Sequence, residues 1–122
     1  IKDIIEVERV SIFIYHEKIG MLSIFRADNL GEFFLPDDKG IVGYVAKYKT
    51  IKVVKDTSKE PLFYDEVDKE TGYHTRNLIA VPILDPENKV LWVVELINKK
   101  DGNFPPKEIT ITNLFAQYIS EP

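Results

Sequence analysis

The chain contains no cysteine, and only two histidines, one tryptophan and one methionine occur among its 122 residues. The absence of cysteine excludes disulfides, thiolate metal sites and thiol nucleophiles. No apolar run is long enough to cross a bilayer, and no signal peptide or Asn-x-Ser/Thr site is found. A cytoplasmic location without membrane insertion is therefore the simplest interpretation.

Charge of one sign is not concentrated anywhere in the chain. The 16 basic and 20 acidic residues give a net charge of -4, and the lack of a basic stripe argues against nucleic acid as a partner. Hydrophobic residues make up 44% of the sequence, enough for a packed core, and the length fits one compact domain. We expect residues 1–122 to form a single domain, cut from a longer signalling protein because the chain starts at Ile1 instead of Met.

Six segments are rich in β-branched and aromatic residues, which is typical of strands. They are Val10–Tyr15, Met21–Phe25, Gly31–Leu35, Ile51–Val54, Asn77–Leu84 and Val90–Ile97. The first three indicate an antiparallel meander. The last two are joined by a tight turn at residues 85–88 and predict a central hairpin.

Two segments have the helical period. The first is Gly40–Tyr48, and the second has Pro106 in its first turn, where a proline is well tolerated. The apolar stripe of the second consists of Ile111, Leu114, Phe115, Tyr118 and Ile119. A long polar connection, Asp56–Tyr73, follows the strand Ile51–Val54, and long loops in compact domains are often functional.

Residues suited to catalysis or metal binding are few. His16 and His74 have no second ligand at a metal spacing, which is typical of ordinary surface residues. The acidic run Asp65–Glu70 lacks the spacing of an EF-hand loop, which favours a solvated helix face over a calcium site. No serine lies in a nucleophile motif. We therefore predict no catalytic residue, no metal and no required cofactor.

The start of the first helix is a candidate anion site. Lys39 and Gly40 lead directly into it, and the first amides, at Ile41 and Val42, have no acceptor within the helix, so they attract anions. Alternatively, the glycines of this segment only allow a turn and close packing. The sequence feature alone favours the second interpretation.

The segment Pro61–Ile83, which reads PLFYDEVDKETGYHTRNLIAVPI, resembles the GAF domains of cyclic-nucleotide phosphodiesterases. The likeness extends back to Lys39–Val45 and forward to Val94–Gly102, in family order and spacing. The resemblance implies an α/β (α+β) fold of the GAF/PAS-like kind, with a central antiparallel sheet of about six strands and helices packed on its faces. It also implies a ligand pocket on one side of the sheet, closed by residues 56–73.

Nine positions match the pocket residues of this family. They are Ser11, Phe25, Arg26, Ile41, Val42, Tyr64, Thr71, Thr75 and Glu95. Their chemistry suits a cyclic nucleotide: helix amides for the phosphate, loop hydroxyls for phosphate, ribose or base, Phe25 for stacking on the purine, and Glu95 for an amino group or a ribose hydroxyl. Each also has a structural alternative, since Phe25 and Tyr64 are equally suited to be core aromatics and Glu95 a capped polar group.

Arg26 departs from the acidic residue that purine-binding relatives often have at this position. A guanidinium can donate to guanine O6 and N7, but it can also close the pocket or point into solvent. The choice between cyclic GMP and cyclic AMP is therefore open.

The nucleotide-binding members of the family carry a motif of Asn-Lys, a later Phe, and then Asp-Glu. Here the motif consists of Asn98, Lys99, Phe104 and Glu108, and Ile109 occupies the final acidic position. The resemblance implies that the motif braces the pocket. We expect Glu108 to form an ion pair with Lys99 and so to tie the last strand to the last helix.

The sequence therefore predicts a regulatory, non-enzymatic sensor domain whose effector ligand is a cyclic nucleotide. We expect it to control an output domain in the same chain, in a parent phosphodiesterase or cyclase that can form a homodimer. The alternative is a scaffold or dimerisation module of the same fold without a ligand. A receptor requires a cavity bordered by Phe25, Tyr64, Thr75 and Glu95, whereas a scaffold fills that space with side chains.

Overall fold

The β-branched and aromatic segments form six strands in the computed structural model, which describes residues 6–25, 34–65, 68–69 and 72–119. The strands are β1 (Val7–His16), β2 (Met21–Ile24), β3 (Phe34–Pro36), β4 (Lys52–Val54), β5 (Leu78–Leu84) and β6 (Val90–Lys99). They form an antiparallel sheet in the order β3-β2-β1-β6-β5-β4. The predicted fold class is confirmed.

Strands β1 and β6 are longer than predicted. They pair in one register from Val7 opposite Lys99 to Ile14 opposite Trp92, and this pairing extends both strands beyond the predicted segments. Of the predicted strand at residues 31–35, only Phe34 and Leu35 fall within the described residues.

Two helices cover opposite faces of the sheet. Helix α1 (Gly40–Tyr48) has the predicted bounds, and α2 (Pro106–Ile119) begins at Pro106. Short 3-10 helices occur at Glu17–Ile19 and Thr57–Lys59. The second of these gives the predicted loop 56–73 some regular structure at its start.

Strand β5 is buried on both of its faces. Leu78 and Ala80 belong to the core on the α1 side, and Ile79 and Val81 belong to the core on the α2 side. All four side chains are at most 1% exposed. The strict alternation of a strand divides these neighbours between two cores, and burying each of the larger ones stabilises the fold by roughly 1.5–3 kcal/mol.

The predicted apolar stripe of α2 is wrong at Leu114, whose side chain is 64% exposed. The part of the helix that packs on the core includes Ile109 and Ile111, together with the buried Thr112. Thr112 can be buried because its hydroxyl donates to the carbonyl oxygen of Glu108 at 2.8 Å. The side chains of Phe115, Tyr118 and Ile119 lie outside the described residues.

Candidate functional site

A cavity of about 50 Å³ lies between the sheet, the start of α1 and the loop 56–73. This volume accommodates a few water molecules. Six of the nine predicted pocket residues line it: Ser11, Ile41, Val42, Tyr64, Thr75 and Glu95. The alternation of β1 and β6 and the entry of the chain into α1 therefore bring most of the predicted set together.

The floor of the cavity is a polar patch on the α1 face of the sheet. Ser11 on β1 lies directly opposite Glu95 on β6, and Ala80 lies opposite Glu95 on the other side. The Glu95 side chain is only 8% exposed. The Glu95 carboxyl group thus lies between the small side chains of Ser11 and Ala80 on the two neighbouring strands.

The electrostatics of Glu95 follow from this burial. Among the described residues, none donates a hydrogen bond to its carboxyl group. Burial raises the pKa of Glu95 to about 8, and the nearby Asp68 carboxylate adds to the effect. At neutral pH the group is therefore largely protonated, and it can both donate and accept a hydrogen bond.

Gly40 allows the loop to approach the first turn of α1. Its φ is +79°, and a Cβ at this position would lie 2.9 Å from Cβ of Tyr64. The Lys39 side chain makes no capping hydrogen bond to the helix, and its Nζ lies 5.8 Å from the centre of the Tyr64 ring. The start of α1, the Lys39 ammonium group and the Tyr64 ring thus meet at the cavity wall.

Gly43 serves packing in the same turn. A Cβ at this position would lie 2.6 Å from the backbone oxygen of Asp37. Both glycines therefore allow close packing at this turn. Anion binding by the amides of the same turn stays a prediction.

Thr75 is held at the cavity by hydrogen bonds within the loop. Asp68 accepts from the Thr75 backbone nitrogen at 2.7 Å and from its hydroxyl at 2.8 Å, and the Thr57 hydroxyl donates to the Thr75 carbonyl at 2.8 Å. The interpretation of residues 65–70 as a solvated face is therefore wrong for Asp68, which lines the cavity. It holds for Asp65 and Lys69, which form an exposed ion pair.

Sequence reasoning missed one cation and three aromatic rings of the cavity lining, which are Arg9, Phe13, Phe63 and Tyr73. Lys39, which the sequence places at the start of the helix, lines the cavity as well. Arg9 precedes Ser11 by two residues on β1, so strand alternation could have found it. Its guanidinium carbon lies 4.7 Å from the centre of the Tyr73 ring.

Three predicted pocket residues are not among the described lining residues. Phe25 follows the last residue of β2, and its side chain is 61% exposed. Its backbone nitrogen donates to the Ile12 carbonyl, which continues the strand pairing and leaves the ring outside the cavity lining. Arg26 and Thr71 lie outside the described residues.

The predicted ion pair between Lys99 and Glu108 is confirmed. It joins the last residue of β6 to the first turn of α2, and the ring of Phe104, 5% exposed, lies 5.7 Å from the Lys99 nitrogen. Ile109 packs against the core on the α2 side. At this position an apolar contact takes the place of the acidic residue of the motif.

Asn98 fastens the end of the loop to β6. Its side chain is 1% exposed, and its φ is +60°. The side-chain oxygen accepts from the backbone nitrogens of Arg76 at 2.6 Å and Asn77 at 3.3 Å, while the amide donates to the His74 carbonyl at 2.9 Å. The predicted bracing residue thus positions the segment that follows Thr75.

In the described part of the chain, no three His, Asp or Glu side chains converge to hold a metal ion. No helix there combines the length and the apolar content that a membrane span requires.

The comparison with protein families identifies the class. The model of the GAF domain matches residues 1–121, so the chain belongs to the GAF domain family.

Two relatives are similar in sequence. The dual 3',5'-cyclic-AMP and -GMP phosphodiesterase 11A of Takifugu rubripes is 39% identical over 74 residues, which cover 61% of this chain and 8% of that protein. The cone cGMP-specific 3',5'-cyclic phosphodiesterase subunit alpha' of Mus musculus is 43% identical over 89 residues, which cover 73% of this chain and 10% of that protein. The chain therefore spans about a tenth of the length of these relatives.

Solved structures share the fold. The GAF domain of a phosphoenolpyruvate-protein phosphotransferase from Coxiella burnetii matches with a TM-score of 0.82 and 15% identity, over 98% of this chain and 73% of that one. A free methionine-R-sulfoxide reductase from Neisseria meningitidis matches with a TM-score of 0.77 and 16% identity, over 98% of this chain and 68% of that one. At these identities the likeness concerns the fold alone.

Proposed function

We propose that this GAF domain is a regulatory sensor that binds a cyclic nucleotide, cyclic GMP or cyclic AMP, in the cavity under the loop 56–73. The observation that carries the proposal is the meeting of Ser11, Thr75 and Glu95 with the first turn of α1 in one cavity. The names of the two phosphodiesterase relatives support the choice of ligand.

Each part of the nucleotide finds suitable chemistry at this site. The amides of Ile41 and Val42 and the ammonium group of Lys39 suit the anionic phosphate. The hydroxyls of Ser11 and Thr75 can donate to ribose or base oxygens. Protonated Glu95 can donate to a carbonyl of the base or accept from its amino group.

Binding requires the loop to move, because the cavity measures only about 50 Å³. Sites for small organic ligands typically have volumes of roughly 300–1,000 Å³. We therefore propose that the loop opens, that the hydrogen bonds between Asp68 and Thr75 rearrange, and that the loop closes again over the nucleotide. This two-state movement is the element through which a ligand acts on the rest of the protein.

The output is an expectation that follows from the relatives. We propose that the domain itself is not an enzyme and that it biases an output domain in the same chain, a cyclic-nucleotide phosphodiesterase or cyclase, in a cytoplasmic protein that can dimerise. The extent of the domain, residues 1–122 as a single unit, also stays a prediction.

A ligand-free scaffold is the second candidate function. The small cavity volume and the exposure of Phe25 favour it, since a domain that has lost its ligand fills the pocket and releases its stacking residue. The two candidates share the fold and differ in whether the cavity opens.

Calorimetric titration of the purified domain with cyclic GMP, and then with cyclic AMP, separates the two candidates. A receptor binds one of them with micromolar or tighter affinity, and Thr75→Ala weakens binding roughly 2- to 10-fold through the lost hydroxyl. Thr50→Ala is the matched control, because Thr50 lies outside the cavity lining, and it leaves the affinity unchanged. Absence of binding to either nucleotide, with well-folded protein, refutes the receptor and leaves the scaffold.

A further inference from the structure

A cluster of four side chains joins the start of β1 to the end of the loop. One Glu8 carboxylate oxygen accepts from the Tyr73 hydroxyl at 2.8 Å and from the Asn98 amide at 3.2 Å, and the other accepts from the Arg76 guanidinium at 2.5 Å. The Asn98 amide also donates to the Tyr73 hydroxyl at 3.0 Å. We call this cluster of Glu8, Tyr73, Arg76 and Asn98 the latch.

The latch is more than an exposed ion pair. Exposed pairs usually contribute little to stability. Glu8, however, accepts three hydrogen bonds, and one of them comes from Asn98, which is 1% exposed. The hydrogen bonds from Tyr73, Arg76 and Asn98 lower the pKa of Glu8, so the carboxylate is charged at neutral pH. Its partners are 65, 68 and 90 residues away in sequence, so the latch fixes long-range packing of the loop end.

Tyr73 connects the latch to the cavity. Its hydroxyl belongs to the latch, while the residue also lines the cavity. The guanidinium of Arg9, the neighbour of Glu8 on β1, lies 4.7 Å from the centre of the Tyr73 ring and lines the cavity as well. Any outward movement of the loop end that displaces Tyr73 must therefore break its hydrogen bond to Glu8.

We propose that Glu8 is a positioning residue that, through Tyr73, sets the rate at which the loop opens over the cavity. The latch holds the loop closed with or without a ligand, so its loss speeds both entry and release and changes the equilibrium affinity little. The part concerning ligand exchange rests on the proposed function. The opening of the loop is a property of the protein alone.

Hydrogen exchange tests the latch without any ligand. We expect Glu8→Ala and Tyr73→Phe each to raise the exchange rate of peptides from residues 56–77 about 5-fold, which is the size expected for the loss of one exposed hydrogen bond. The double variant exchanges no faster than the faster single one, because the two residues share one interaction. Glu6→Ala, which removes an exposed glutamate just before β1, behaves as the wild type.

Peptides from β5, residues 78–84, show whether an effect is local. Their exchange stays unchanged in all variants if the latch acts only on the loop. Wild-type exchange of the loop in both single variants, or an equal rise in loop and β5, overturns the proposal. If Glu8→Ala fails to fold, Tyr73→Phe carries the test, because it keeps the ring and removes only the hydroxyl.

Stopped-flow kinetics with cyclic GMP or cyclic AMP, whichever binds, then test the exchange of ligand. The proposal predicts that association and dissociation rates both rise about 5-fold in Glu8→Ala, while Kd changes less than about 2-fold, because Glu8 does not line the cavity. A change confined to one of the two rates overturns the kinetic part. If no variant and no wild-type protein binds either nucleotide, the proposed function fails, and the exchange experiment alone decides the latch.

Discussion

The two faces of the sheet are built from the same strands and differ in what they bury. The face under α2 is apolar, with Ile79, Val81 and Leu96 all 0% exposed. The face under α1 is apolar near Phe13 but ends in a polar cavity around Glu95. Burying a polar group without a hydrogen bond costs free energy, so the fold gives up stability at this one end, where we propose that a ligand binds.

The largest effect expected from this difference is a pH dependence that comes from Glu95. Its pKa is 4.5 in the unfolded chain and about 8 in the folded domain. Between these values the folded state binds more protons, so its stability falls as pH rises through this window and is fully present only below pH 4.5. At about 1.4 kcal/mol per pH unit the loss is at most about 5 kcal/mol.

Urea unfolding at pH 5, 7 and 9 measures this loss, with Glu95→Gln as the comparison. The amide cannot ionise, so the stability of the wild type relative to the variant should decrease steadily with pH. A difference that does not depend on pH would mean that Glu95 is not a buried, protonated acid.

The apolar face gives the second largest effect, and we expect it to be independent of pH. Ile79→Ala removes a fully buried side chain on the α2 side and should lower the free energy of unfolding by about 2–5 kcal/mol. Ile79 does not line the cavity, so nucleotide affinity should stay unchanged in conditions where the variant is folded. A stability loss under about 1 kcal/mol would show that this face is loosely packed.

The smallest effect concerns the ion pair that ties β6 to α2. Glu108→Gln should cost about 1–2 kcal/mol, because the Lys99 and Glu108 side chains are only 12% and 20% exposed. Glu87→Gln is the matched control: it removes an ion pair with Lys89 whose side chains are 78% and 63% exposed, and it should cost under about 0.5 kcal/mol. Equal unfolding midpoints for the two variants would contradict a bracing role for Glu108.

Much of the fold was predictable because local patterns decide it. The short apolar run of β5 and the helical period of Gly40–Tyr48 give correct elements, since both patterns report burial directly. The stripe of α2 was harder, because the burial of Thr112 depends on a hydrogen bond that an apolar pattern does not register. The exposure of Leu114 depends on how the helix packs on the sheet, which the helical period alone does not determine.

The cavity was predictable in its framework and not in its loop. Family positions on β1, β6 and α1 converge because strand register and helix geometry fix them. Asp68 and Tyr73 were not predicted, because their positions depend on hydrogen bonds to Thr75 and Glu8. The pattern of apolar residues gives no information on these contacts. The opposite error concerns Phe25, whose side chain faces outward where β2 ends.

The most direct test of the central claim is an amide-resolved NMR titration of the domain with cyclic GMP and with cyclic AMP. The account predicts saturable shift changes, for at least one nucleotide, centred on the amides of Ser11, Ile41, Thr75 and Glu95, with much smaller changes around Val81 on the α2 side. Spectra that do not change with either nucleotide, or saturable changes confined to the α2 side, would contradict it.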